Sequence, residues 1–459
     1  MVDDPDIKSS STAECSCIKT DVVVPSKWRF LMRIIRSIVF FACLVGFIYQ
    51  AVTFVQHFYN YPTVVTIEIK YPPKIPYPAI TFCNINPVQR SAYCSKYPAN
   101  CEKPEDMEQF CKKKPRYCRN SNVTDILIPK QQYLSPEKNE ETLTNQDIKE
   151  LSQNASRLLH RSIYGEIEEQ VTPVFFYEWP NLGNIHQCFT ENYLGNKTDP
   201  HFVALSNKNT ATSYILVGIY HFNLEEDEIF DPDAESGLLF SIHSPYETVN
   251  PYFKGNLIKS GSNLKIHLRL EEQNFLPYPY ETDCINYEQL WQDNKTRPRT
   301  QNACKESCYE TYTLSCHGCL FNSNTITLDN IETVCNSNDI AENNNYSEDY
   351  VDEGLEKWLD DCTKSCKKDC RKLVYLYTIE EQVLKPDKGN PESKNISIWI
   401  SIPDPEVIVL SHRPQFMDVE LFSSIGGFIG YWLGISVWAL FEVFKDNFVA
   451  TINCLKNKI

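Results

Sequence analysis

Two long hydrophobic stretches without formal charge lie near the two ends of this 459-residue chain, Ser37 to Gln56 and Leu421 to Phe441. About 20 residues in a helix rise about 30 Å, which is the thickness of the hydrocarbon core of a bilayer. The pattern therefore predicts two transmembrane helices. It divides the chain into a cytoplasmic N-terminus (1–36), a first transmembrane helix (37–57), an extracellular domain (58–420), a second transmembrane helix (421–441) and a cytoplasmic C-terminus (442–459).

The charges beside these stretches predict the orientation. Basic residues precede the first stretch and follow the second: Lys27, Arg29, Arg33, Arg36, Lys445, Lys456 and Lys458. Since basic flanks stay on the cytoplasmic side, both termini are expected inside and the middle of the chain outside. The first stretch begins too deep and runs too long for a cleaved signal peptide. We therefore expect a two-span protein of the plasma membrane, in contact with membrane lipid.

The middle of the chain has the composition of an extracellular domain. It contains 15 of the 19 cysteines, and it carries the net negative charge of the chain, since the two terminal segments are each slightly positive. All six N-x-S/T sequons also fall there, which makes their asparagines candidate glycosylation sites. They are Asn122, Asn154, Asn196, Asn294, Asn345 and Asn395. Many cysteines in an oxidising compartment predict disulfides.

Hydrophobic periodicity within this domain indicates both strands and helices. Alternation at every second residue predicts strands, most clearly at Leu264–Leu270 and Ile396–Ile402, where one face is expected to be buried. Spacing of three and four predicts a helix over Asp147–Ile163 and another helix face at Leu355 to Cys362. Further strands are expected at Val64–Ile69, Tyr214–Tyr220 and Leu238–His243. The predicted fold class is a membrane protein with two transmembrane helices and a large α+β, disulfide-rich extracellular domain.

Cysteines at four-residue spacing lie along one face of a helix, so two such faces can be joined by successive disulfides. A metal site at Cys316-His317-Gly318-Cys319 is the competing interpretation, and we favour disulfides. The spacing leaves the connectivity open. The disulfide candidates are Cys94, Cys188, Cys284, Cys304, Cys308, Cys319, Cys335, Cys362, Cys366 and Cys370.

Two acidic clusters, Glu225–Glu235 and Glu348–Glu356, have two interpretations. In the first, each cluster is a solvated acidic surface. In the second, the two clusters face one another. If they face one another, like charges would raise carboxyl pKa values, and the pair could sense protons, bind Ca²⁺ or dock a basic peptide.

Enzyme motifs are absent from the sequence. It has no G-x-S-x-G, no H-E-x-x-H and no phosphate-binding glycine loop. We therefore expect no enzyme activity, no cofactor, no metal and no nucleic-acid partner. His243 and His267 stand in strand patterns and are expected to be structural.

The motifs YPAITFCN, QCFTEN, GLLFSIHS, IGG and GIS stand in this order along the chain. Together they resemble motifs of the degenerin/epithelial sodium channel/acid-sensing ion channel superfamily. Tyr77–Asn84 (YPAITFCN) is similar to the motif after the first span, and Gln187–Asn192 (QCFTEN) and Gly237–Ser244 (GLLFSIHS) resemble two further family motifs. Ile425–Gly427 and Gly434–Ser436 resemble the I-G-G and G-x-S elements of the second span.

This resemblance implies a homo- or heterotrimer of subunits with palm, finger and thumb regions. The second spans would line a pore for monovalent cations, chiefly sodium, often blocked by amiloride and gated by protons, a peptide or force. The implied selectivity filter is Gly434, Ile435 and Ser436. The implied pore and gate residues are Ser423, Ser424, Ile425, Gly426, Gly427, Gly430 and Glu442. The implied stimulus-sensing carboxylates are Glu225, Glu226, Asp227, Glu228, Glu348 and Asp352. The family counterpart also implies an unpaired Cys83, which leaves fourteen external cysteines.

The sequence departs from the family pattern in several places. The N-terminal His-Gly pair is absent, Ser424 replaces an acidic residue, Ile435 replaces a small filter residue, and Lys445 replaces a common acidic residue. The alternatives are a non-conducting regulatory subunit of such a channel and a two-span, cysteine-rich receptor without a pore. An ATP-gated trimeric channel would need clustered external Lys and Arg, which the acidic middle segment argues against.

Overall fold

A computed structural model describes residues 26–118, 126–130, 143–162, 171–178, 185–194, 202–205, 215–320, 326–327, 330–335, 353–381 and 395–434. The chain divides into two compact units. The helical unit comprises Met1–Pro62 with Pro414–Ile459, and the β-rich unit comprises Thr63–Arg413.

The helical unit contains the longest helix, α1 (Ser26–Tyr59). Within it, Phe30–Tyr59 has a mean hydropathy of 2.3 and is long and apolar enough to cross a membrane. It is the one such helix among the described residues. It contains the whole of the first predicted span. The last helix of the described chain, over Asp418–Leu433, contains the first part of the second.

The described helices of the β-rich unit are mostly short. They are α2 (Arg90–Lys96), α3 (Met107–Lys113), α4 (Asn145–Leu151), α5 (Ala155–Leu158), α6 (Pro251–Lys254), α7 (Tyr287–Asp293), α8 (Gln301–His317) and α9 (Glu353–Ser365). The helix over Asp418–Leu433 is α10. Short 3-10 turns occur at Pro98–Asn100, Pro115–Cys118, Glu226–Glu228 and Ile331–Thr333.

The described strands are β1 (Thr63–Lys70), β2 (Lys74–Pro76), β3 (Ala79–Asn84), β4 (Cys101–Glu102), β5 (Ile128–Pro129), β6 (Leu159–Ser162), β7 (Thr172–Tyr177), β8 (Ile185–Glu191), β9 (Phe202–Ala204), β10 (Ile215–Phe222), β11 (Gly237–His243), β12 (Asn256–Lys259), β13 (Asn263–Asn274), β14 (Ile326–Thr327), β15 (Arg371–Glu381), β16 (Ile396–Ile402) and β17 (Val407–Pro414). A seven-stranded sheet has the order β1-β17-β13-β16-β10-β6, with β15 also paired to β13. A six-stranded sheet has the order β12-β11-β3-β8-β7-β14.

The main hydrophobic core joins these two sheets. Phe82 and Phe240 of the six-stranded sheet belong to the same buried cluster as Ile266 and Ile398 of the seven-stranded sheet. Along β16 the isoleucines are buried at every second position, whereas Trp399 on the other face is 46% exposed. The period-2 prediction for β13 and β16 is therefore confirmed.

The prediction of one continuous helix over Asp147–Ile163 is wrong, because the chain forms two short helices there. The chain forms α4, leaves helical geometry at Ser152, forms the short α5, and then enters β6. Gln153 is 4% exposed; its amide donates to the backbone oxygen of Asn223, and its side-chain oxygen accepts from Asn84. These hydrogen bonds to residues distant in sequence hold the non-helical segment between α4 and α5 in place.

Seven disulfides join cysteines of the described β-rich unit. They are Cys83–Cys188, Cys94–Cys101, Cys111–Cys118, Cys284–Cys370, Cys304–Cys366, Cys308–Cys362 and Cys319–Cys335. Two of them form successive rungs: Cys308–Cys362 joins α8 to α9, and Cys304–Cys366 joins α8 to the residue that follows α9. Because the earlier cysteine of α8 is bonded to the later of the two partner cysteines, the two helices run antiparallel.

The expectation that Cys83 stays unpaired is wrong. Cys83 and Cys188 lie directly opposite one another on the antiparallel strands β3 and β8, and their Cα atoms are 4.3 Å apart. Directly opposed residues at this spacing can be joined with little backbone adjustment. In the described β-rich unit the free thiol is Cys316 instead, near the end of α8.

Candidate functional site

α10 carries the glycine-rich sequence from which a pore lining was predicted, and it ends where the filter was predicted to begin. The helix stops at Leu433, and Gly434 adopts a left-handed conformation with φ of 63°. Its N–H donates to the carbonyl oxygen of Gly430 at 3.1 Å. Glycine adopts this conformation at low cost, so the residue type explains the place of the break.

At its other end, α10 begins with acidic residues. The carboxylate of Glu420 accepts a hydrogen bond from the backbone N–H of Met417 at 3.0 Å, and Asp418 lies in the same first turn. Negative charge is favourable beside the unsatisfied N–H groups of a helix start.

One side of α10 packs on α1. The Phe54 ring lies edge-on to the rings of Phe416 and Phe428, with centroids 5.4 and 5.8 Å apart. Trp432 donates from its indole N–H to the side-chain oxygen of Gln50 at 2.6 Å. A Cβ added to Gly46 would lie 2.7 Å from the Trp432 ring, so this glycine allows the close approach.

The glycines of α10 lie on the other side, which we call the uncovered face: Ser423, Gly426, Gly427, Gly430 and Gly434. All five are exposed. A Cβ added to any of the four glycines meets nothing within 4 Å. These glycines are therefore not needed for contact with α1.

The remaining predicted pore residues divide into two groups. Ser424 and Ile425 are partly covered, in contrast to the residues of the uncovered face. Ile435, Ser436 and Glu442 lie outside the described residues.

The first acidic cluster is tied to α2. Arg90, which is 6% exposed, donates to the backbone oxygen of Asp227 and lies 3.6 Å from the carboxylate of Glu228. Glu228 also accepts from the backbone N–H of Ser91 at 2.8 Å, and Glu226 accepts from the hydroxyl of Ser236 at 3.0 Å. Much of this cluster is therefore paired within the protein.

Glu225 differs from its neighbours in the cluster. Partial burial raises the pKa of its carboxyl, and the charges of Glu228 and Asp227 add to the rise, while Arg157 and the hydrogen bond from Gln89 oppose it. Glu348 and Asp352 lie outside the described residues, so a facing pair of acidic clusters stays a prediction.

A titratable carboxylate that the sequence did not indicate lies beside the α8–α9 pair. Burial raises the pKa of Asp369 from 3.8 to about 6, and the charge of Glu247 adds to it. Its carboxylate accepts the backbone N–H of Gln301, at the start of α8, at 3.1 Å. Its sequence context, KKDCRK, is a run of charged residues, which is typical of a solvated surface. The burial that changes its chemistry arises only from tertiary structure.

The two histidines expected to be structural have different surroundings. His243 is buried, hydrogen-bonds Thr81 at 2.8 Å and the backbone oxygen of Ser244 at 2.9 Å, and its pKa is lowered by burial to about 4. His267 is partly exposed, 3.4 Å from Glu380.

Three of the six predicted glycosylation asparagines are described: Asn154, Asn294 and Asn395. All three are exposed, so nothing in the described chain covers them. Among the residues that the structure places, no group of three or more His, Cys, Asp and Glu is arranged to hold a metal ion.

Sequence comparison with known proteins finds relatives that carry the same name in two organisms. The bile acid-sensitive ion channel of Rattus norvegicus is 22% identical over 272 residues, which cover 54% of this chain and 48% of that protein. The channel of the same name from Mus musculus is 23% identical over 258 residues, with coverage of 54% and 48%. The chain thus spans about half the length of these curated relatives.

One similar solved structure is described as the cryo-EM structure of a proton-activated chloride channel. It aligns over 91% of this chain and 98% of that chain, with 7% identity and a TM-score of 0.29. A TM-score this low carries no argument about fold or function.

A family model covers far more of the chain than these pairwise alignments. The model described as the amiloride-sensitive sodium channel matches residues 10–445, from before α1 to beyond α10. That span contains both apolar stretches and the fourteen cysteines that form disulfides in the described part of the chain. The chain belongs to the amiloride-sensitive sodium channel family.

Proposed function

We propose that this chain is a subunit of a trimeric cation channel, permeable to sodium and blocked by amiloride, whose pore is lined by α10. The observation that carries the proposal is the division of α10 into two faces. Phe428 and Trp432 pack on α1, while Ser423 and the glycines are left uncovered. Three such faces around an axis would form a narrow passage lined by backbone and small side chains.

The end of α10 at Gly434 supports the same proposal. The last carbonyl groups of a helix lack partners within it, and inside a membrane such backbone is tolerated where it lines water or is buried in protein. Rings of backbone carbonyls are one known way of replacing the hydration shell of a cation. Gly434, Ile435 and Ser436 are proposed to form this constriction, and Glu442 to concentrate cations at its inner mouth.

An extracellular stimulus is proposed to open the pore, and protons or a basic peptide acting on the acidic clusters are the first candidates. Burial raises the pKa of the Glu225 carboxyl, which makes it the first group of that cluster to test for proton sensing. The relatives are named for sensitivity to bile acids, so an amphipathic anion joins the stimuli to be tested.

Voltage-clamp recording tests this function. The chain is expressed alone and with related subunits while external pH, basic peptides and bile acids are scanned. We expect a cation current that Gly434→Arg abolishes, because a bulky cation would occupy the constriction. Gly261→Arg, at a glycine of the β-rich unit that also has a positive φ, controls for misfolding at a strained position through surface expression.

Absence of current distinguishes the alternatives. If no stimulus gives current with any partner, but the chain changes the current of a partner subunit, it is a non-conducting regulatory subunit. If it does neither, a two-span receptor without a pore is favoured.

A further inference from the structure

An open cleft in the β-rich unit gathers positive charge from a chain that is acidic overall. It has a volume of about 540 Å³ and lies among the start of α8, the end of α9 and the turn at Thr282–Asp283. Four lysines line it: Lys305, Lys364, Lys367 and Lys368. We call it the lysine cleft. It contrasts with the net charge of −16 of the whole chain.

The protein itself neutralises only part of this charge. Asp283 is the acidic residue that lines the cleft, and its carboxylate lies 2.6 Å from the ammonium of Lys367. Lys364 pairs with Asp360 of its own helix, and Lys368 lies 5.9 Å from the centroid of the Phe275 ring. Lys305 has no ion pair with any residue that the structure describes. Ammonium groups that line one cleft repel one another unless an anion lies between them.

Disulfides fix the backbone of the cleft. Lys305 follows Cys304, which is bonded to Cys366, itself a lining residue. Asp283 precedes Cys284, which is bonded to Cys370. The side-chain amide of Gln301 donates to the backbone oxygen of Cys366 at 2.9 Å, joining the start of α8 to the same wall. The backbone positions that carry the lysines are therefore held together, so binding an anion would not have to order these segments.

We propose that the lysine cleft binds an extracellular ligand carrying two or more sulfate or phosphate groups. Lys305 and Lys368 have no ion pair with a residue that the structure describes, so a single monovalent anion would leave one of these two charges uncompensated. Lysine, a compact point charge on a flexible stem, suits tetrahedral oxyanions that do not need the planar fork of arginine. The ligand could be a sulfated glycan chain or a soluble oligophosphate, which present the same groups.

Binding of two probes to the purified full-length protein in detergent tests the proposal. One probe is a fluorescent, heparin-derived octasaccharide, followed by anisotropy; the other is inorganic tripolyphosphate, added as a competitor and by calorimetry. We expect at least one probe to bind, with affinity that falls as salt is raised. Binding of the octasaccharide alone identifies a glycan, and binding of tripolyphosphate alone identifies a soluble phosphate.

Two substitutions with opposite expected effects on affinity test whether the lysine cleft is the binding site. Lys305→Gln should weaken binding by about fivefold, the effect of one partly exposed ion pair. Asp283→Asn removes the internal competitor of Lys367 and should strengthen binding by a similar factor. Lys357→Gln, an equal charge change at an exposed position of α9 outside the cleft, is the matched control.

Two results would overturn the proposal. One is failure of both probes to bind the wild-type protein at low salt. The other is a loss of affinity in Lys357→Gln as large as that in Lys305→Gln, which would indicate non-specific attraction of the probe to basic surface residues. Thermal unfolding of each variant checks that the fold is retained.

Discussion

Asp369 is held at a junction of the β-rich unit, one residue before the disulfide-bonded Cys370. It forms a β-bridge with Ile285 and accepts a hydrogen bond from the backbone N–H of Gln301. Partial burial raises its pKa to about 6, so ionisation of this one side chain opposes folding at neutral pH.

Asp369→Asn should therefore stabilise the protein at pH 7. The folded-state pKa lies above the ordinary value, so Asp369 stabilises the fold only while its carboxyl is protonated. This stabilisation is complete below about pH 4 and is lost as pH rises through about 6. Asparagine stays neutral and keeps an oxygen that can accept from Gln301. We expect a gain on the order of 1–2 kcal/mol in the free energy of unfolding at pH 7, shrinking to nothing near pH 4.

Thermal unfolding of both proteins across pH 4 to 7.5 measures this gain. Asp293→Asn, at an exposed position, is the control and should show no comparable pH-dependent gain. A gain in Asp369→Asn that is the same at every pH would contradict the assigned cause.

A second residue-scale prediction concerns Gly46. A Cβ there would lie 2.7 Å from the ring of Trp432, so Gly46→Ala should force α1 and α10 apart and lower the free energy of unfolding by roughly 1–3 kcal/mol. Gly427→Ala is the matched change on the uncovered face, where a Cβ meets nothing within 4 Å. It should leave stability unchanged or raise it, since alanine favours helices over glycine. Thermal unfolding in detergent compares the two; equal losses would contradict the two-faced description of α10.

At the scale of elements, the α8–α9 pair is held by two disulfide rungs that do not act independently. Cys304–Cys366 and Cys308–Cys362 are separated by 62 and 54 residues along the chain. While either rung is intact, the other closes only a short loop of about nine residues through it, which in the chain-entropy model is a stabilisation of about 2–3 kcal/mol.

Removal of both rungs should therefore cost more than the sum of the single removals. A larger loop, still bounded by the intact Cys284–Cys370, is then released as well, and the chain-entropy model gives about 6 kcal/mol for the pair against about 5 for the sum. Serine replacements of each disulfide singly and together, followed by denaturant unfolding, measure this. A double loss equal to or below the sum would contradict the entropic description.

The elements differ in how far the sequence predicted them. β13 and β16 were predictable because their apolar residues alternate and one face is buried. The break between α4 and α5 was not, because it depends on hydrogen bonds of Gln153 to residues distant in sequence. The pairing of Cys83 likewise depends on the register of β3 and β8, which cysteine spacing does not encode.

The candidate site, like the fold, was predictable from the sequence only in part. A glycine series in an apolar stretch predicted a helix with bare backbone, and α10 presents those glycines on one face and ends at Gly434. Asp369 and the lysine cleft could not be predicted, since each is assembled from segments far apart in sequence and joined by disulfides.

At the scale of the whole molecule, the proposed division of labour is between a helical unit that conducts and a β-rich unit that receives the stimulus. The family match runs through both units. The β-rich unit has a continuous core across two sheets and seven described disulfides, as expected of a rigid extracellular body. The helical unit provides the uncovered face of α10, on which the proposed channel function depends.

Cysteine accessibility along α10 tests this central claim most directly. Cysteines placed singly at Ser423, Gly427 and Gly430, on the uncovered face, are compared with cysteines at Phe428 and Trp432, which face α1. The background carries Cys316→Ser, which removes the free thiol of the described β-rich unit. A charged, membrane-impermeant thiol reagent is then applied during voltage-clamp recording. We expect the current to change at the uncovered positions and not at the two that face α1. Modification of both faces alike, or of Phe428 and Trp432 alone, would contradict a pore lined by this face.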